Sequence, residues 1–360
     1  MVPAGSNPLA GFAQADLGRL QHLVGRSALD PLTAVELIEA RSDYLDLHTQ
    51  PGASPAGYCR FLQATDGPIA IHLSRDEDWE LLPAWLQTGS SPTDWQSLVH
   101  EVSTLQRDTL LQQGIDLGLA VASPDERPQG RPFPRFQDGR TLSRPPRILD
   151  LSTLWAGPLS GQLLRLGGAE VTKVDSAHRP DGARSGNQGF YAHLNGGKVH
   201  RVVDFRDASE RAAFIESLAH FDIVIESARP RALPQLGIDP KSLLATYPLL
   251  TWVSITAYGR TAFNGMRVGY GDDVGIASGL SRALHAVTGN WNVVGDALAD
   301  PLTGIRAAVS ALESYAAGGG QLLDISLSAT VIAAMEFSRE TLGKQGFNAA
   351  LANWWQEASC

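Results

Sequence analysis

The chain has 360 residues, 43% of them hydrophobic and 19% charged, an ordinary globular composition with length enough for two domains and a sizeable core. Its formal net charge of −9 excludes a general nucleic-acid binder, which needs a basic face, but leaves room for an anionic ligand at a local basic cluster. Cys59 and Cys360 form neither a disulfide framework nor a CxxC site, no basic-then-apolar leader is present and no apolar run reaches membrane-spanning length, so a cytoplasmic protein with no membrane partner is expected.

Residues 1–57 are mixed in pattern. "ALDPLTAVELIEARSDYLDL" has helical spacing and "HTQPGASPAGY" is a loop by composition. "YCRFLQATDGPIAIHLS" reads as two strands around Thr65-Asp66-Gly67, a hairpin signal. An amphipathic helix is predicted over "RDEDWELLPAWLQ", with acidic residues at its start. One or two helices are predicted over "SPTDWQSLVHEVSTLQRDTLLQQG", and a return strand over "IDLGLAVAS". The Pro- and Arg-rich stretch 124–146 is the expected linker between a smaller α+β domain at 1–123 and a second domain at 147–360.

From 147 strands and helices alternate. "RILDL" is a buried-strand pattern, followed by the helix "AGPLSGQLLRLGG", which starts at a Gly-Pro step and stops at Gly167-Gly168. "AEVTKVD", "VHRVVDF", "FDIVIES" and "LLTWVSITAYG" read as further strands, with Asp207 capping the helix "DASERAAFIESLAH". The alternation predicts parallel pairing with right-handed crossovers, hence an α/β fold with a Rossmann-like open parallel sheet, whose ligands bind beyond the carboxyl ends of the strands.

Several chemistries are missing. The first βα turn, "LDLSTLWAGPLSG", lacks the GxGxxG fingerprint, so Asp175 reads as a surface acid at a strand end. No P-loop and no GxSxG elbow occur. His193 and His200 are isolated, and no metal is expected. Asp300, in "GDALADPLTG" ahead of the helical "IRAAVSALESYAA", stays open to two readings: a cap on the following helix, or a nucleophile at the mouth of a pocket.

Six segments in order carry a resemblance: "LDLSTLWAGPLSGQLLRLGGAEVTKVD", "LNGGKVHRVVDF", "DIVIESARPRALPQLGID", "SITAYG", "VGYGDDVGIASGL" and "VVGDALADPLTGIRAAVSALESYAAGGGQLLDISL". Together they resemble the class III CoA-transferases, the family of formyl-CoA transferase and carnitine CoA-transferase. The resemblance implies transfer of coenzyme A between an acyl-CoA and a small carboxylic acid, with Asp300 as the catalytic aspartate forming covalent acyl and CoA adducts. It also implies a homodimer; dimers of this family are interlocked rings. The positions that would meet coenzyme A are Ala156, Gly157 and Pro158 at a helix N-terminus, and Lys173, Arg179 and Arg184 around the loop after the second strand. They continue with Asn195, Gly197 and Lys198 in "LNGGK", Arg229 in "SARP", and Tyr258 and Gly259 beside the pantetheine arm.

The sequence also departs from the family pattern. "ESARP" lacks the usual Asn-Phe, Gly196 stands where Arg is common, and Gly271 stands where Asp is usual. Tyr270 occupies the place of the histidine that racemases of the family use as a base. "DGPIAIHLSRDEDWELL" and "LLQQGIDLGLAVAS" resemble the family's small domain, which here precedes the large one. A non-catalytic CoA binder and an acyl-CoA racemase therefore stand as alternatives to transfer.

Overall fold

The structure, a computed structural model, describes residues 6–25, 27–129, 133, 142 and 144–358. Most of the expected linker 124–146 lies outside the described residues.

Two helices open the fold, α1 (Ala10–Val24) and α2 (Ala34–Leu45). A capping box starts α2: the Glu36 amide donates to Thr33 Oγ1 at 3.3 Å, and the Thr33 amide to Glu36 Oε2 at 2.9 Å. The predicted hairpin forms, with β1 (Cys59–Ala64) antiparallel to β2 (Gly67–His72) and Ala64 paired to Gly67. The single helix predicted over "RDEDWELLPAWLQ" is two, α3 (Asp76–Glu80) and α4 (Leu82–Leu86). Pro83 has no N–H to donate, and it sits in the first turn of α4, where none is needed. Helices α5 (Trp95–Val102) and α6 (Arg107–Leu117) follow, then the short return strand β3 (Ala120–Ala122), which pairs with β2. Leu62, Ile69, Ile71, Trp85, Leu98, Leu110 and Val121 form the core between this three-stranded sheet and its helices.

The second sheet is built from β4 (Arg147–Asp150), α7 (Ala156–Leu166), β5 (Glu170–Ser176), α8 (Gln188–Asn195) and β6 (Val199–Val203). It continues with α9 (Ala208–Ser217), β7 (Ile223–Glu226), α10 (Ala232–Gln235), α11 (Pro240–Thr246) and β8 (Thr251–Thr256). Helices α12 (Gly271–Ala277), α13 (Leu280–Thr288) and α14 (Ala299–Ala316), β9 (Leu322–Ser326) and α15 (Leu327–Ala358, broken at Gly343) complete it. All six strands are parallel, in the order β6-β5-β4-β7-β8-β9. Successive side chains on β4, β7 and β8 enter opposite cores: Ile148, Ile225 and Val253 on one face, Leu149, Val224 and Trp252 on the other. Asp207 caps α9 as expected, accepting from the amides of Ser209 and Glu210 at 2.8 and 2.9 Å.

Helices α1 and α2 bury Leu17, Leu20 and Leu37 in the parallel sheet's core, beside α7 and α14. The second face of the small sheet, with Cys59, Ala70 and Ala122, turns to that same core and meets α12. This packing brings N-terminal side chains to the carboxyl end of the large sheet. The order reverses between β4 and β7, which opens a crevice at the first βα turn.

Candidate active site

The turn after β4 is held rigid from below. Asp150 is fully buried at the strand end. Its Oδ1 accepts the Ser152 amide at 3.0 Å and its Oδ2 accepts Lys198 Nζ at 2.8 Å. Lys198 also donates to the Pro158 carbonyl at 2.8 Å and to Asn195 Oδ1 at 3.0 Å. Lys173 donates to the Ser152 carbonyl at 2.7 Å and lies 3.2 Å from Asp181 Oδ2. Asp181 Oδ1 accepts the amides of Leu154 and Ala183, each at 3.0 Å. Leu154 is left with a φ of 68°, a left-handed backbone unusual for a leucine. Burial alone would raise the Asp150 carboxyl, but the Lys198 and Lys173 ammoniums outweigh it and hold it below the usual carboxylate range. Lys173, Lys198 and Asn195 are thus buried and engaged by internal partners.

Gly157 follows from the same packing. A Cβ there would lie 2.1 Å from Ser152 Cβ, so only glycine lets α7 rise this close to its own turn. Gly304 does the same on α14, where a Cβ would meet the Ala156 carbonyl at 2.7 Å. The two helices therefore pack with their N-termini side by side.

Asp300 sits at that junction. Sequence spacing put it ahead of the helix; it is in fact the second residue of α14, and the N-cap position is Leu298. Leu298 makes no side-chain cap, and the Asp300 carboxyl is hydrogen-bonded instead to the backbone of Ala156 and Gly271, the first residues of α7 and α12. Three helix N-termini thus converge on one carboxyl, and their dipoles favour negative charge there. A Cβ on Gly271 would lie 2.3 Å from Asp300 Oδ2 and 2.3 Å from the Ala297 carbonyl, which is why glycine stands at this position. Asp300 remains partly exposed to solvent. Burial pushes its pKa up to about 7 against the lowering effect of the Arg41 charge and the Gly271 amide, with Asp296 adding to the rise.

The neighbours were not legible as a set. Arg41, from α2, lies 2.9 Å from buried Asp296 and its guanidinium carbon is 5.9 Å from the Trp155 ring centre. Asp272 accepts the Ala297 amide at 2.7 Å, fixing that residue at a φ of 45° just before α14. Burial raises Asp272 to about 7 and Asp273 to about 8. His72, from β2, stacks on Tyr270 with ring centres 4.4 Å apart, and its Nδ1 is 3.8 Å from Asp272 Oδ2. Burial, then the Arg41 charge, lowers His72 to about 3, so it is neutral. Burial raises the Tyr270 phenol further above its already high value, which makes it a poor base at neutral pH. The adjacent acids of "GYGDD" were the one local signal for this cluster.

The other residues singled out by the resemblance fall in three places. Asp175, expected at the surface, is buried and holds Arg184 at 2.6 Å, because the loop after β5 folds back over the strand end. Arg179 and Arg229 are exposed, after β5 and β7. Partial burial and then the charges of Arg75, Arg179 and Arg231 lower Arg229 from its usual value, so four guanidiniums share one field beyond the strand ends. Arg75, itself 2.5 Å from Asp78, comes from the turn between β2 and α3 and was not foreseen. Tyr258 is buried in a wall, with the Arg267 guanidinium 4.0 Å over its ring, and the Gly259 amide donates to Thr256 Oγ1 at 2.9 Å. Arg267 in turn binds Glu126 at 2.5 Å and the Val121 carbonyl at 3.0 Å, joining the two sheets. Gly197 has a φ of 81° and packs against Arg165. Among the described residues no group of three or more His, Cys, Asp or Glu is placed to hold a metal, and no helix is long and apolar enough to cross a membrane.

The chain is 30% identical over 211 residues to a succinyl-CoA–D-citramalate CoA-transferase of Chloroflexus aurantiacus, covering 54% of this chain and 52% of that protein. It is 31% identical over 200 residues to a succinate–glutarate CoA-transferase of Agrobacterium fabrum, covering 50% of each. The human succinyl-CoA:glutarate CoA-transferase is 28% identical over 200 residues, covering 52% of this chain and 46% of that one. A solved CAIB/BAIF family protein from Brucella suis aligns at 28% identity with a TM-score of 0.47, over 54% of this chain and 56% of that one. The chain spans about half the length of the curated relatives it matches. The family model for CoA-transferase family III matches residues 146–349, from the first strand of the parallel sheet into the helix that follows its last, and the chain belongs to that family.

Proposed function

We propose that the protein transfers coenzyme A between carboxylic acids, with Asp300 as the covalent carrier. The Asp300 carboxylate attacks the thioester carbonyl of an acyl-CoA and expels the CoA thiolate, leaving a mixed anhydride. The thiolate attacks the aspartyl carbonyl, which releases the donor acid and leaves an aspartyl-CoA thioester. The acceptor carboxylate attacks that thioester and expels thiolate again; the thiolate then takes the acceptor's acyl group and frees Asp300. Each adduct stays activated, so the exchange is nearly balanced.

One observation carries the reading: a partly exposed carboxyl held by the backbone of Ala156 and Gly271 where the N-termini of α7, α12 and α14 meet. Backbone donors and helix dipoles there offset the negative charge that develops on the reacting carbonyl groups. With a pKa of about 7, a substantial fraction of Asp300 is ionised at neutral pH. In this reading Arg179, Arg184 and Arg229 meet the phosphates of coenzyme A, Ala156, Gly157 and Pro158 form the floor beneath it, and Tyr258 and Gly259 wall the pantetheine arm. Lys173, Lys198, Asn195 and Gly197 act from beneath, by holding the turn. The three-stranded unit serves as the family's small domain placed first in the chain. A cytoplasmic homodimer is part of the same proposal.

The test is mass spectrometry of the protein incubated with succinyl-CoA and quenched with hydroxylamine, read against an Asp300→Asn control. A hydroxamate on Asp300 supports transfer. The internal engagement of Lys173 and Lys198 favours a second reading, a CoA binder without turnover. That reading predicts protection from heat by coenzyme A with no mark on Asp300. Buried His72 is a very weak base and the Tyr270 phenol stays protonated, so neither takes the part of the racemases' histidine, and no α-proton exchange is expected in deuterated water.

A further inference from the structure

Asp300 lies among more acids than the transfer reading requires. Asp272 and Asp273 approach from α12 and Asp296 from the loop ahead of α14. Facing them from the small sheet is neutral His72. From α7 come only backbone groups, its Arg165 being turned to Gln162 at the far end. Strand β8 carries no ionisable residue, β9 carries Asp324, which accepts the Arg260 amide, and α1 carries Asp16, paired with Arg306 at 2.7 Å further along α14. On α15, Glu336, Arg339 and Glu340 lie well past its first turn, and Arg339 covers Phe347. Arg267 faces Asp273 but is clasped by Glu126. Among the described residues, the cation left for Asp296 and Asp300 is Arg41. It arrives from α2, outside the segment matched by the family model, and is separated from Asp296 by 255 positions.

We propose that Arg41 is a positioning residue for Asp300: clamped on Asp296 and laid against Trp155, it holds a positive charge beside the carboxyl that sits between the Ala156 and Gly271 amides. The inference rests on the transfer reading for its purpose, but its physical content can be measured without turnover. The geometry supports it twice over. The ion pair at 2.9 Å fixes the guanidinium, since Asp296 is almost fully buried and cannot follow a moving partner. Trp155, the residue before Ala156, ties the same guanidinium to the start of α7. The N-terminal helices thereby become part of the active site.

The experiment follows Asp300 by carbon NMR in protein labelled at the aspartate side-chain carboxyls, with Asp300→Asn identifying its signal. Arg41→Met is expected to raise the Asp300 titration midpoint by about one pH unit or more, because a nearby opposite charge is lost. Asp296→Asn is expected to lower it, because a like charge is removed while the amide oxygen still accepts from Arg41 Nη1 and Trp155 still holds the guanidinium. Arg41→Lys restores most of the wild-type midpoint. A midpoint unmoved in Arg41→Met overturns the proposal, whatever Asp296→Asn does. If Arg41→Met fails to fold, the double variant Arg41→Met/Asp296→Asn, which leaves no unpaired buried carboxylate, decides: a midpoint above that of Asp296→Asn supports the proposal, and one no higher overturns it. A wild-type protein that forms no adduct with succinyl-CoA yet shows the opposed shifts overturns the transfer reading and leaves the placement of Arg41 standing.

Discussion

Replacing Gly271 by alanine tests the geometry at Asp300 with a single methyl group. The added Cβ would lie 2.3 Å from Asp300 Oδ2 and 2.3 Å from the Ala297 carbonyl oxygen, short by about 0.7 Å of the closest approach a Cβ makes. Neither neighbour can yield independently. The Ala297 carbonyl accepts the Asp300 amide at 2.8 Å, and the Ala297 amide is held by Asp272 at 2.7 Å. Relief must move the start of α12 away from the start of α14. Overpacking of this kind costs about 1–3 kcal/mol, a loss to be read in urea unfolding. Activity should suffer more, because displacing a reacting group by ~1 Å costs on the order of 10²-fold in rate. The rate of aspartyl adduct formation with succinyl-CoA, measured by quenched flow at a pH well above 7, separates this from a change in ionisation. Wild-type adduct rates in Gly271→Ala would refute the placement of Asp300 against the α12 N-terminus.

Further outcomes are expected. Asp300→Asn should abolish the adduct while melting no lower than wild type at neutral pH, since it removes a carboxyl that burial disfavours when charged. Adduct formation should rise with pH about a midpoint near 7 as Asp300 ionises. Asp272, Asp273 and Asp300 are all raised on folding, so the stability they confer is complete near pH 4 and is lost as pH climbs through about 7 to 8; melting temperature should fall across that window, and Asp272→Asn should flatten the slope. Lys198→Met should cost about 3–5 kcal/mol in urea unfolding by stranding buried Asp150, whereas Arg229→Ala, at an exposed site, should leave the melting temperature unchanged and weaken coenzyme A binding roughly 10-fold or more in calorimetry.

The strands of the large sheet were legible because β4, β7 and β8 carry short apolar runs, and β5 alternates Val171 and Val174 with polar residues, all separated by glycine and helical patterns. Helices α1, α8, α10, α11, α12, α13 and α15 were not predicted; α12 is rich in small residues with little amphipathic contrast, and α15 opens directly from β9 without a turn signal. Asp300 stood out through its motif, yet its escape from a capping role depends on the amides of two other helices. Lys173 and Lys198 illustrate a different limit. A sequence shows that a lysine is cationic but not that Asp150 and Asp181 lie within reach to take the charge inward. Arg41, His72 and Arg75 reach the large sheet only through tertiary packing of the N-terminal elements, which no local pattern encodes.

The most direct test of the account is the mass of the Asp300 peptide after incubation with succinyl-CoA and a hydroxylamine quench. The account predicts a hydroxamate on Asp300 that is absent without succinyl-CoA and absent in Asp300→Asn. An unmodified Asp300 peptide under conditions where coenzyme A binds, or a hydroxamate on another carboxylate, would contradict it.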